Sequence, residues 1–141
     1  MRVLALAVLA AALVAHRKLV LVTVRGQSME PTYREGDRVL VRRGARLVPG
    51  RVVVLASPPG TVDQGWLIKR IAATAGDPVP DRLAGLTGNR VPAGKLVLLG
   101  DNPEVSLDSR EIGYFPADHV LGAVIGSTGS RRPGPGRQPK G

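Results

Sequence analysis

The apolar residues of this chain fall into short runs separated by turns. Residues 3–15 are uncharged and apolar throughout, and the basic trio His16, Arg17 and Lys18 follows them. As a helix this run is about 20 Å long, short of the roughly 30 Å hydrocarbon core of a bilayer. Residues 1–18 are expected to form a short membrane anchor with the trio at lipid headgroups. A removable signal peptide or an interfacial helix would carry the same pattern. Beyond it the pattern changes to strands. Residues 19–24 form the first apolar run, and residues 37–42 partly alternate, as a half-buried strand does. Residues 52–56 are continuously apolar, which suits a central strand. Strands are also expected at 66–73, 95–99 and 120–125. Turns fall at 33–36, 48–50 and 76–78, and loops at 57–65 and 100–110. Residues 78–94 are rich in Gly and Pro and show no period.

This spacing predicts a mainly β protein. The body, residues 19–128, is read as a compact antiparallel β-barrel or sandwich-like domain behind one N-terminal membrane helix. Residues 129–141 read as a disordered basic tail. Composition narrows the picture. Aromatics make up 3% of the 141 residues, so the core must be built from Val, Leu, Ile and Ala. The absence of cysteine removes disulfides, thiol nucleophiles and zinc–thiolate sites. The net charge is +9. Such a surface suits anionic partners. Nucleic acid is not expected among them, because no helix-turn-helix or zinc pattern is present and few aromatics are available for stacking on bases.

One stretch suggests chemistry. Gly26-Gln27-Ser28-Met29-Glu30-Pro31-Thr32 follows the first strand and places a serine on a constrained bend. A serine hydroxyl needs a base to become a nucleophile. Of the two histidines, His16 lies beside the anchor. His119 adjoins Asp118, and neighbours on a strand point to opposite faces, so a Ser-His-Asp triad is disfavoured. Lysine is the other option. Lys18 and Lys140 lie near the ends, and Lys95 opens a strand. Lys69 shares its strand face with Leu67 and Ile71. Burial there would disfavour the ammonium and leave an amine able to take the serine proton. A lysine on an edge strand would instead reach out to solvent.

Four blocks then occur in order. They are the Ser28 stretch; Gly36-Asp37-Arg38-Val39-Leu40-Val41; Lys69-Arg70-Ile71 with Gly76-Asp77; and Gly100-Asp101-Asn102 with Ser106-Leu107-Asp108-Ser109-Arg110. Together they resemble a type I signal peptidase, a membrane-bound Ser-Lys endopeptidase, in a minimal form without the second β-domain of larger members. The resemblance implies that Ser28 is the acylating nucleophile and Lys69 the general base. It implies that Ser106 orients the lysine, that Asp108 and Arg110 form a supporting ion pair, and that Gly100, Asp101 and Asn102 shape the loop. Two positions depart from the family pattern. Pro103 stands where a basic residue is common. Gly26 stands where some members carry a hydroxyl that helps hold the oxyanion, which leaves the backbone N–H of Ser28 to do more.

The resemblance also implies a site for an extended peptide, added as a strand beside the segments that carry Ser28 and Lys69. Val22, Val24 and Ile68 are candidates to line its pockets, with Met29 a further one; plain core packing is the alternative for all four. The implied partners are preprotein signal or leader peptides and the lipid bilayer, with no nucleic acid. No cofactor or metal is expected, since the acidic residues of the 100–110 loop lack calcium-loop spacing. The family's place is the cytoplasmic membrane, single-pass, with the catalytic body outside. The basic trio after the anchor argues the opposite orientation. Alternatives are a protease dedicated to one leader-bearing precursor, a self-cleaving Ser-Lys protease, and a non-catalytic anchored peptide binder.

Overall fold

The computed structural model describes residues 1–61, 65–83 and 85–129. Helix α1 spans Arg2–Lys18, and none of its residues is buried. It is 17 residues long, about 25 Å. Among the described residues no helix is long and apolar enough to cross a membrane. The tail expected at 129–141 lies, apart from Gly129, outside the described residues.

Seven strands follow: β1 (Leu19–Thr23), β2 (Arg38–Arg42), β3 (Val52–Ala56), β4 (Trp66–Thr74), β5 (Lys95–Leu99), β6 (Phe115–Pro116) and β7 (Val120–Thr128). They form one antiparallel sheet in the order β1-β2-β7-β3-β4-β5-β6. The mainly β expectation therefore holds. β3 and β5 have the expected limits, β2 and β4 each differ by one residue at one end, and three further details differ. β1 ends at Thr23 because Val24 closes the hairpin itself: its N–H donates to Asp37 O at 2.7 Å, and its carbonyl accepts from Gly36 N–H at 2.9 Å. β7 runs on to Thr128, because its far end pairs with β2 through a bulge at Leu40/Val41. The two-residue β6 has no counterpart among the strands expected from the sequence. Its Phe115 is buried against β5, at the sheet edge opposite β1.

Two apolar clusters explain why β3 is apolar at every position. Val52 and Val54 enter the first, with Val22, Val24, Met29, Val39, Val41 and Ile68. Val53 and Leu55 enter the second, with Ile71, Leu96, Leu98, Phe115 and Ala123. Successive side chains of a strand point to opposite faces, so β3 is covered on both. The first cluster also sets the shape of the sheet. It joins β1 to β4, which stand four strand steps apart, or about 19 Å in a flat sheet. Their side chains meet only because the sheet curls around this cluster. The 78–94 segment is not empty of structure either. Its Leu83 and Val91 are buried with Ala73 and Val97 in a third cluster.

The curl leaves a gap. β1 pairs with β2 alone, so its other edge is open. β4 pairs with β3 from Trp66 to Arg70, but with β5 only from Arg70 onward. The edge of β4 from Trp66 to Lys69 is therefore open on the β5 side. Leu98, fully buried in the second cluster, tests the packing on the opposite face. Leu98→Ala should lower unfolding free energy by about 2–5 kcal/mol, read as a shift of the denaturation midpoint at unchanged slope.

Candidate active site

Gly26 has φ +74°, and nothing lies within 4 Å of the point where a side chain would begin. It is the backbone, not crowding, that favours glycine here. A hydroxyl-bearing residue would have to adopt the left-handed region. The bend then tightens: Glu30 N–H donates to Gln27 O at 3.1 Å, and Tyr33 N–H to Met29 O at 2.9 Å. Met29 is 1% exposed and plugs into the first cluster. Ser28 is half-buried beside it. The apolar anchor next door thus fixes the position of the hydroxyl-bearing residue.

The 100–110 loop grips this bend. Asn102 N–H donates to Ser28 O at 2.9 Å, and Asn102 Nδ2 to Gln27 O at 3.1 Å. Thr32 Oγ1 donates to Asp101 Oδ2 at 2.6 Å. Asp101 also accepts from Arg70, at 2.9 Å from Nε and 2.7 Å from Nη2, and Arg70 Nη1 reaches Gly50 O at 2.8 Å. Strand β4, the loop and the serine bend are therefore locked by one carboxylate. The Arg70 hydrogen bonds to Asp101 hold that carboxyl below its usual range; its partial burial opposes this, and Thr32 adds to it.

Gly100 is the point where the three pieces meet. Arg70 pairs with Leu99 in the last rung of the β4–β5 ladder, so Lys69 and Gly100 are the two residues just beyond that rung. A Cβ at Gly100 would stand 2.0 Å from Ser106 Oγ and 2.7 Å from Ser28 O. Only glycine permits this approach. Ser106 and Ser28 thus come together beside the strand position of Lys69.

Lys69 is 2% exposed. It pairs with Val53 in the β3–β4 ladder, on the face of the second cluster. It does not reach out to solvent. Burial lowers its pKa from the ordinary lysine value; Asp108 pulls it back up, and Arg110 pushes it further down. Among the described residues neither Lys69 Nζ nor Ser28 Oγ makes a hydrogen bond. Both remain free to engage each other or a substrate, and catalytic hydrogen bonds often tighten only when substrate is bound.

Asp108 is fully buried and is the most heavily bonded side chain of the loop. Burial alone would raise its pKa. Arg110, the Gly100 N–H, the Ser106 hydroxyl and the Arg110 N–H outweigh that and hold it at about 2. Gly100 N–H and Ser106 Oγ each donate to Oδ2 at 2.8 Å. Arg110 Nε donates to Oδ1 at 2.9 Å, and its Nη2 forms a salt bridge with Oδ2. Because Ser106 spends its proton on Asp108, its oxygen can only accept from a further partner. An amine N–H is the partner such an oxygen suits.

The remaining sequence candidates divide. Val22, Val24, Ile68 and Met29 are brought together and buried in the first cluster. His119 lies at the surface, 4.0 Å from Asp118, and His16 sits in the last turn of α1, so the structure assembles no histidine triad. No group of three or more His, Cys, Asp or Glu among the described residues could hold a metal ion. Sequence reasoning gave no role to Thr32 or Arg70. The signal for Arg70 was its place next to Lys69, which turns it to the opposite face; its partner 31 residues away was not visible.

A family model described as signal peptidase, peptidase S26, matches residues 1–90 and 80–127. Among characterised proteins, signal peptidase IB of Staphylococcus aureus strains Mu50, N315 and MW2 is similar. Each is 29% identical over 140 aligned positions, covering 72% of this chain and 73% of the relative.

The Asp108 carboxylate carries a stability prediction. Its pKa is lowered from 3.8 to about 2, so its contribution is complete above the unfolded value and is lost as pH falls through the folded one. The shift corresponds to about 2 kcal/mol. Thermal melts should show wild type losing stability between about pH 4 and pH 2, and Asp108→Asn losing distinctly less over the same interval. Equal losses in both proteins would contradict this reading of Asp108.

Proposed function

Because the chain belongs to the signal peptidase family, peptidase S26, and is thereby a serine peptidase, we propose that it removes signal or leader peptides with a Ser28–Lys69 dyad. The observation that carries the reading is Lys69: a lysine 2% exposed, next to the Arg70–Leu99 rung beyond which Gly100 meets Ser106 and the Ser28 carbonyl. A buried amine of lowered pKa has a neutral fraction near working pH, and a neutral amine can take a proton.

The steps follow from the residues. Lys69 Nζ takes the Ser28 proton as Oγ attacks the scissile carbonyl. The resulting oxyanion is held by the Ser28 N–H. Lys69 then gives the proton to the leaving amine, and an acyl-enzyme remains. A water, deprotonated by Lys69, hydrolyses it. When the lysine amine engages Ser106, that oxygen can only accept from it and so sets its direction, since its own proton is committed to Asp108. Arg110 neutralises Asp108, so that this carboxylate does not hold Lys69 as an ammonium.

An extended substrate would lie between the two open edges of the curled sheet. β1 and the open stretch of β4 both lead toward the reacting pair at their C-terminal ends. A strand that presents its scissile carbonyl to Ser28 would run parallel to both, with its backbone paired to the two open edges. Alternate side chains would point toward Val22, Val24 and Ile68, above Met29. Shallow apolar pockets of this kind suit small residues before the cut. The substrates would be preproteins at the cytoplasmic membrane, with α1 as the membrane-associated segment and the body on the extracytoplasmic side. A protease dedicated to one precursor would use the same chemistry.

Ser28→Ala and Lys69→Ala should each abolish cleavage of a preprotein while leaving the melting temperature close to wild type or higher; mass spectrometry of the products reads the cut. Full activity of Lys69→Ala would sink the dyad. The pH dependence has a sign. Activity should rise with pH as Lys69 loses its proton, with the acidic limb of kcat/KM below the ordinary lysine value of 10.5. Arg110 lowers the Lys69 pKa and Asp108 raises it. Arg110→Gln should therefore move that limb to higher pH, and Asp108→Asn to lower pH. Shifts in the same direction would contradict the electrostatic role given to the pair.

A further inference from the structure

The net charge of +9 is concentrated in two stretches of the chain. Residues 1–29 and 38–62 hold nine of the 20 Lys and Arg and none of the 11 Asp and Glu. Outside them eleven bases and eleven acids cancel, so the whole excess lies in these two stretches. The fold brings their basic ends together. Leu19 pairs with Arg42, and Arg43 N–H donates to Lys18 O at 2.7 Å. The last turn of α1, with His16, Arg17 and Lys18, therefore abuts Arg42 and Arg43 at the end of β2. Arg17, Lys18, Arg42 and Arg43 are all exposed. None of them forms a salt bridge among the described residues. The acids nearest in sequence, Glu30, Glu35 and Asp37, belong to the bend at the other end of the β1–β2 hairpin.

A collar of cations with no acid among them, at the foot of a helix whose apolar side chains are exposed, has a definite complement. We propose that Arg42 and Arg43, with Arg17 and Lys18, form a docking surface for anionic phospholipid headgroups, which seats the β body on the membrane independently of the peptidase site. Apolar insertion of α1 would occur in any bilayer; the collar adds selectivity for negative lipid. Each cation near such a surface strengthens binding by about fivefold, and salt screens the effect. A helix of about 25 Å also gains from the collar, because cations drawn to the headgroups hold its C-terminal end at the interface.

The test uses the full chain diluted from neutral detergent into vesicles of phosphatidylcholine alone or of phosphatidylcholine with phosphatidylglycerol at about 7:3, a composition in the range of anionic leaflets. Flotation gives the two partition coefficients. Wild type should favour the anionic vesicles by on the order of tenfold or more at low salt, and the preference should collapse at high salt. Arg42→Glu/Arg43→Glu should lose most of the preference, while still entering neutral vesicles and still hydrolysing a soluble peptide at the wild-type rate. Arg42→Lys/Arg43→Lys should keep it, since only charge is required. An unchanged preference in the Glu variant, or none in wild type, overturns the proposal. So does tight, salt-sensitive retention of duplex DNA by a wild type indifferent to phosphatidylglycerol, which would reassign the collar to nucleic acid. Ser28→Ala must retain the preference, so failure of the peptidase mechanism and failure of the collar are read separately.

Discussion

The approach of three chain segments at Gly100 is the constraint on which the rest of the site depends. One glycine stands just beyond the Arg70–Leu99 rung that adjoins Lys69, and against both Ser106 Oγ and Ser28 O. Each contact draws on a different part of the fold. Lys69 is placed by the β3–β4 ladder, Ser28 by the Met29 plug, and Ser106 by its hydrogen bond to a fully buried carboxylate. A methyl group at position 100 would have to displace at least one of them.

Electrostatics in the site follows from the same closeness. Asp108 near a buried lysine would favour the ammonium, which suits an ion pair and not a base. Arg110 offsets it through its guanidinium and its backbone N–H, and the Gly100 and Ser106 donors also bind the carboxylate. The balance left at Lys69 is dominated by burial. The polar groups around it are connected, so changing one alters the others. A second carboxylate, Asp101, acts mechanically. It ties Thr32 to Arg70 and so holds the serine bend against the lysine strand.

The shape of the sheet bears on the proposed substrate as well. The curl around the first cluster brings β1 and β4 side by side without pairing them. β1 and the Trp66–Lys69 stretch of β4 run parallel, each with one open edge. Open edges ordinarily invite aggregation. Here they lie on either side of a shared apolar cluster, and the proposed substrate would pair with both.

Much of this was legible in the sequence, for identifiable reasons. Period-two and continuous apolar runs depend on local chain geometry, so the strands and the fully covered character of β3 could be read directly. The Leu-x-Lys-x-Ile pattern pointed to a buried Lys69 because alternation alone turns all three to one face. Motif order carried the resemblance to signal peptidases. Only the tertiary structure decided which long-range partners those residues meet. The curl arises from packing between strands four steps apart. The Arg70–Asp101–Thr32 link joins residues up to 69 positions distant, and no local pattern encodes it. The same holds for the collar: the sequence set the charge, but the β1–β2 register decided that Lys18 and Arg43 would share one end of the molecule. Local patterns report which face a residue takes; what lies across that face is a property of the assembled sheet.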